Sequence, residues 1–313
     1  MIMAPTRFIM TSRSIAKATF FLAAISTIML LLAAGHAQAA LFFSFEARES
    51  YEDNAAGIVT DGGGVDDRGG ETGRVSPMLW LRANDEEERR DRDGERDDLL
   101  GAGGGARAQG DFATELYADI GTLHGLEGDR SLIVMASAQR TAYARFNEFD
   151  FTILRLSGGL AQQFTEIVSA RLTLNAKAKY YDNPLRDSTA AGLTASLRER
   201  LGPSVRLRQF YDFERNSADS AIYSYYRHLI GLSASFDLTP ALILDVGYSY
   251  LLQDYDEPAS SRVTTGTLSA ELERILGRGW GLFAGYDREM SVDDTSGLSW
   301  TNNILSVGIR YLY

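Results

Sequence analysis

Cysteine is absent from all 313 residues. That excludes disulfides, Cys-ligated metal sites and a lipid-modified N-terminal cysteine. Proline is scarce, with six residues, and only three histidines are present. Beyond residue 34 no run is both apolar and long enough to form a transmembrane helix. Basic charge is in deficit: the formal net charge is −11, and −14 once Arg7, Arg13 and Lys17 are removed with the N-terminal segment described below. So acidic a chain is a poor nucleic-acid binder, and no nucleic-acid partner is expected.

What is present begins with an address. Arg7, Arg13 and Lys17 form a basic region, an apolar run follows from Ala18 to Ala34, and Ala37-Gln38-Ala39 is a small-residue cleavage site. This pattern predicts a signal peptide over residues 1–39 and a mature chain starting near Ala40, rather than an N-terminal membrane anchor.

The remainder, residues 40–313, reads as one unit. Hydrophobicity comes in short alternating runs, separated by turn residues at even spacing. Strands are predicted near 41–52, 110–123, 130–145, 149–162, 166–181, 189–201, 203–216, 222–238, 240–255, 262–276, 279–292 and 299–313. Most exceed the ~9–11 residues that a tilted strand needs to cross a bilayer. The expected fold is all-β: a transmembrane antiparallel up-and-down barrel of about twelve strands. Connections alternate in kind. Gly125–Asp129, Gln162–Thr165, Gly202–Pro203, Asp237–Pro240 and Gly277–Gly279 are tight, and fit the periplasmic side. Tyr181–Ser188, Asn216–Ala221, Asp256–Ser261 and Val292–Leu298 are longer and polar, and fit the outer side. An even strand number puts both termini in the periplasm. Tyrosines at the outer strand ends (Tyr180, Tyr181, Tyr211, Tyr223, Tyr225, Tyr226, Tyr248, Tyr250, Tyr255, Tyr286), with Trp280, Phe236 and Tyr313 at the inner ends, suggest two aromatic girdles.

Alternation also assigns faces. In 166–181, Val168, Ala170, Leu172, Leu174, Ala176 and Ala178 alternate with Ser169, Arg171, Thr173, Asn175, Lys177 and Lys179. A charge facing the lipid midplane costs roughly 2–4 kcal/mol, so the polar set is expected to point into the lumen. The middle strands then supply a basic wall: Arg155, Arg171, Lys177, Lys179, Arg198, Arg200, Arg206 and Arg208. An acidic wall is expected from Glu115, Asp119, Asp245, Glu271, Glu273, Asp287 and Glu289. Two readings stay open. A water-filled pore with a transverse field would pass polar or charged solutes. A narrow barrel closed by ion pairs would serve a structural purpose. The last eight residues, SVGIRYLY, place Val307, Ile309, Tyr311 and Tyr313 on one apolar face.

Several of these segments carry a family resemblance: SYEDN at 50–54, FDLTP at 236–240, QDYDEP at 253–258, WGLFAGYDRE at 280–289 and the terminal SVGIRYLY. The chain resembles the outer-membrane β-barrel porin families often linked with exopolysaccharide secretion loci. It is similar, more distantly, to the barrel of surface lipoprotein assembly modifiers, but lacks the helical repeat domain that often precedes such barrels. The resemblance implies a Gram-negative outer-membrane location, contact with lipid and lipopolysaccharide, and a terminal strip (Val307, Ile309, Tyr311, Tyr313) read by the barrel assembly machinery. It implies no catalytic residues. The function expected is passage of polar solutes or oligosaccharides, or alternatively assistance to polysaccharide export by a plugged barrel.

Residues 53–109 break the pattern: too long for a turn and too polar for a bilayer. With DGGG at 61–64, an acidic run from Asp85 to Asp98 and GAGGG at 101–105, they are expected to form an outer loop, partly disordered. DRDGERDD at 91–98 lacks the full ligand spacing of a calcium loop, and GAGGG lacks the Lys-Ser/Thr of a phosphate loop. No metal or cofactor is expected. A hydrolase needs a nucleophile and base on adjacent strands. His228 and Ser224, four apart on one predicted strand, share a face, but no acidic orienter accompanies them and a girdle histidine is the simpler reading.

Overall fold

The structure, a computed structural model, describes residues 39–53, 110–145, 149–182, 184–257, 261–294 and 299–313. It consists of twelve strands: β1 (Ala39–Glu52), β2 (Asp111–Leu126), β3 (Arg130–Tyr143), β4 (Phe151–Gln163), β5 (Val168–Tyr181), β6 (Ser188–Arg200), β7 (Val205–Ala218), β8 (Tyr225–Thr239), β9 (Leu242–Tyr255), β10 (Arg262–Gly277), β11 (Trp280–Asp293) and β12 (Ser299–Leu312). Each strand pairs antiparallel with its sequence neighbours, and β12 closes on β1 with Ser44 opposite Leu312 and Glu52 opposite Ile304. Closure leaves no unpaired edge, which is what allows a sheet to sit in a medium without hydrogen-bonding partners. The expected twelve-strand up-and-down barrel is the fold observed. The predicted signal peptide, apart from Ala39, and residues 54–109 lie outside the described residues, as do the calcium-like and glycine-rich segments within them.

The faces follow the alternation. Outward positions such as Leu174, Ile230, Leu305 and Val307 are 58–66% exposed, whereas inward charges such as Arg48, Lys179, Glu214 and Glu289 are 1–4% exposed. This inverts the usual soluble pattern, and a continuous apolar exterior of this extent calls for lipid rather than water around it.

The five tight turns gather at one end of the barrel, together with Ala39 and Tyr313; the longer connections gather at the other. Chain reversal at the tight end uses left-handed backbone. The β10–β11 turn has φ of 93° at Gly277, 51° at Arg278 and 81° at Gly279. Successive positive φ values match the right-handed twist of the flanking strands, which is why glycine dominates there. Gly279 is needed twice over, because an added Cβ would lie 2.2 Å from the carbonyl oxygen of Leu312.

Candidate functional site

The barrel interior is where polar chemistry concentrates. Register places the predicted lumen charges on one shared face of the sheet. Arg155 stands opposite Lys177, Arg171 opposite Ser196 and Lys179 opposite Ser188. Arg198 stands opposite Arg208 and Arg200 opposite Arg206. On the other side, Asp119 faces Ser44 and Glu115 faces Arg48 across the ladder, Glu271 faces Asp245, and Glu273, Asp287 and Glu289 stand opposite Phe283, Ser269 and Thr267.

Further inward charges were not singled out from the sequence, among them Glu46, Arg48 and Glu52 on β1, Asp111 on β2, Asp212 and Glu214 on β7, Arg227 on β8 and Arg310 on β12. Their signal was the same alternation, visible as Glu46-Ala47-Arg48 and Asp212-Phe213-Glu214. They change the picture of two facing walls. Glu214, only 2% exposed, is the centre of a cluster in the loop-end half. It forms ion pairs with Lys177, with Lys179 at 2.9 Å and with Arg227 at 3.7 Å. Arg227 also pairs with Asp212 at 2.7 Å, and Lys179 donates to the Tyr225 hydroxyl at 2.7 Å. Lys177 and Lys179 therefore both pair with one carboxylate on their own side of the barrel, two strands away.

A second cluster occupies the tight-turn half between β1 and β10. Arg310 pairs with Glu46 at 2.8 Å, Glu271 at 3.1 Å and Glu273 at 2.7 Å. Arg48 reaches Glu271 at 3.1 Å. Both guanidinium groups lie 4.9 Å from the Phe283 ring, so a π face completes their surroundings. Part of the expected acidic wall is thus occupied by arginines within it. The remaining basic positions differ. Among the described residues, Arg155, Arg171, Arg198, Arg200 and Arg208 have no carboxylate within ion-pair distance, while Arg206 pairs with Asp237 at 2.7 Å.

The interior is not filled. A cavity of about 420 Å³ is lined from opposite sides by Arg155 and Lys177, and by Asp245, Glu271 and Arg310. Another of about 370 Å³ adjoins it beside Asp119, Gln139 and Arg155. A third of about 500 Å³ opens at the tight-turn end beside Arg198, Arg200, Arg206 and Arg208.

The loop end is packed. Tyr223, Tyr225, Tyr255, Val263 and Trp300 form one buried cluster, and Ala113, Tyr143, Phe149, Phe151 and Ile153 another, with Tyr181 touching both. Arg186, in a 3₁₀ turn at Pro184–Arg186 between β5 and β6, is 1% exposed and lies over the rings of Phe149 at 4.9 Å and Tyr223 at 5.4 Å. The expected outer girdle is accordingly split. Tyr211, Tyr226, Tyr248, Tyr250 and Tyr286 are 37–50% exposed on the exterior, but Tyr223, Tyr225 and Tyr255 are 2–7% exposed and packed together at the loop end. At the other end, Trp280 packs 4.8 Å from Tyr311 on the outside, beside Phe43. His228 also faces outward; its Nδ1 lies 2.8 Å from the Tyr211 hydroxyl, and its ring packs against Phe213. Ser224 instead accepts a hydrogen bond from the Ala218 amide, so the His-Ser pairing does not form.

No family model matches the chain, and no curated protein matches it in sequence. Solved structures do. An outer-membrane channel from Pseudomonas putida F1 is 12% identical with a TM-score of 0.56, covering 89% of this chain and 97% of its own. The KdgM porin in complex with disordered oligogalacturonate is 8% identical with a TM-score of 0.42, covering 64% of this chain and 96% of its own. The outer membrane channel DcaP of Acinetobacter baumannii is 9% identical with a TM-score of 0.41, covering 89% and 99%. The first of these shares its fold with the chain.

Proposed function

We propose that the protein is an outer-membrane channel for polar or charged small solutes or oligosaccharides, seated in lipid and lipopolysaccharide with its tight-turn end in the periplasm. One observation carries this reading: guanidinium groups without carboxylate partners line neighbouring cavities inside the barrel, two of which share Arg208 and Asp245 in their walls. A purely structural lumen would pair such charges or replace them by apolar side chains, because an unpaired charge out of water is costly. Here water must reach them, and a watered, charged lumen in a membrane is a solute path.

A second reading rests on the packed loop end. Arg186 and the buried tyrosines close the mouth among the described residues, as a plugged barrel assisting polysaccharide export would require. Planar-bilayer recording of the purified protein separates the two. The channel reading expects steady conductance that increases in Arg186→Ala. Silence of both proteins would reject it in favour of the plugged barrel.

A further inference from the structure

The cavity at the tight-turn end differs chemically from the rest of the interior. Its basic side chains stand on two adjacent strands in two rungs: Arg198 opposite Arg208, and Arg200 opposite Arg206. Antiparallel neighbours lie about 5 Å apart, and same-face residues along a strand about 7 Å apart. Arg171 on β5 stands beside the upper rung, opposite Ser196. Placing like charges directly opposite one another destabilises a sheet. Arg206 pairs with Asp237 at 2.7 Å, but Arg198, Arg200 and Arg208 stand here without carboxylates like those that pair with Lys177, Lys179 and Arg310 elsewhere. Arg198, Arg200 and Arg208 are exposed to the cavity, so their donors are available. Three carboxylates, Glu166, Glu199 and Asp245, also line the space; Asp245 accepts a hydrogen bond from Ser235.

We propose that this vestibule is a binding site for a linear anionic oligosaccharide, carboxylated or phosphorylated, arriving from the tight-turn end. Three features set the class of ligand. Guanidinium groups bind carboxylate and phosphate through paired N–H donors, so arginine rather than lysine at these positions favours oxyanions. The rungs run along the strands, so successive charges of an extended chain meet successive arginine pairs, whereas a single small anion meets one. A volume of about 500 Å³ falls in the range of small-ligand sites and is open at its end, so a longer chain is free to protrude. The place of the cavity sets the direction: Thr165, Glu166 and Ile167 of the β4–β5 turn line it, so the ligand reaches these arginines from the tight-turn end without passing the Arg186–Phe149–Tyr223 contact. This rests on the reading of the interior as water-filled, but it does not require conduction.

Calorimetric titration of the full chain in detergent micelles tests it with three probes: a glucuronic acid hexamer, maltohexaose as the neutral counterpart, and tripolyphosphate. The expected result is binding of the glucuronate hexamer at least tenfold tighter than maltohexaose, weakened by added salt. In Arg198→Gln/Arg208→Gln, loss of two charge-assisted contacts should weaken it by roughly ten- to a hundredfold. These residues hold no ion pair in the fold, so heat-modifiable migration of the variant should match the parent. Arg130→Gln removes one charge from the outer surface at the same end and should leave the affinity unchanged. Equal binding of maltohexaose, unchanged affinity in the double variant, or binding of tripolyphosphate alone would each overturn the proposal. Binding with a silent bilayer would refute only the channel reading. Conductance without binding would refute only the vestibule site.

Discussion

Glu214→Gln tests the internal electrostatics most directly. The carboxylate is 2% exposed and sits among Lys177, Lys179 and Arg227, with Lys179 and the Tyr225 hydroxyl donating to it at 2.9 Å and 3.1 Å. Glutamine keeps the shape and one acceptor oxygen but removes a carboxylate shared by three cations that are themselves 1–7% exposed. Breaking a buried pair by removing one partner costs about 3–5 kcal/mol, because the surviving charge stays desolvated. The retained acceptor places the expected loss near the lower bound, about 3 kcal/mol. Adding Lys179→Met removes one of the stranded cations and should restore part of the loss, a coupling of about 1 kcal/mol or more that independent sites would not show. Urea unfolding of the protein in liposomes, followed by the heat-modifiable gel shift, measures both. The matching control is Asp256→Asn, which breaks a pair with Arg215 whose side chains are 30–31% exposed and should cost about 0–1 kcal/mol. If Glu214→Gln is no more destabilising than Asp256→Asn, the loop-end half is hydrated rather than sealed, and the buried-cluster argument fails.

The Asp256 pair also predicts a pH response: hydrogen bonds from Arg215 hold the Asp256 carboxyl below the usual aspartate range. A depressed aspartate contributes its stability above the unfolded-state value of about 3.9 and loses it as pH falls further. The wild-type advantage over Asp256→Asn should therefore be present at pH 7, stay below about 1 kcal/mol after solvent screening, and vanish in acid. Persistence at pH 2 would refute that assignment. Gly279→Ala should destabilise by about 1–3 kcal/mol, since it combines a left-handed residue with a Cβ collision against Leu312; an unchanged unfolding midpoint would show that the turn relaxes freely. We further propose that the outward strip ending in Tyr311 and Tyr313 is read during assembly. Tyr311→Ser/Tyr313→Ser should then lower the amount recovered in the outer membrane and leave degradation products; normal membrane levels would remove the strip from that role.

Strand number, strand limits and the two faces were legible in the residues alone, and the reason is local. A strand has a side-chain period of two, so each segment such as 168–181 declares its lipid face and its lumen face without reference to any other. Turn chemistry is equally local: Gly277, Arg278 and Gly279 announce a left-handed reversal wherever they occur. Which inward charges meet was decided only by closure. Stagger around the barrel brings Glu214 of β7 against Lys177 and Lys179 of β5, and brings Arg310 of β12 against Glu271 and Glu273 of β10. Neither match follows from alternation, because alternation gives the face and not the height at which strands are shifted past one another. The tyrosines show the same division. Tyr225 and Tyr226 are neighbours in sequence with opposite fates, one 6% and the other 46% exposed. Their place near a strand end marked both as girdle residues, whereas packing with Tyr255, Val263 and Trp300, and Arg186 over the Tyr223 ring, drew Tyr223 and Tyr225 into a buried cluster at the loop end. Sequence thus determined the wall, a sum of local periods. Tertiary structure alone decided where the lumen is sealed and where its arginines stay open to water, because both depend on contacts between residues far apart in the chain.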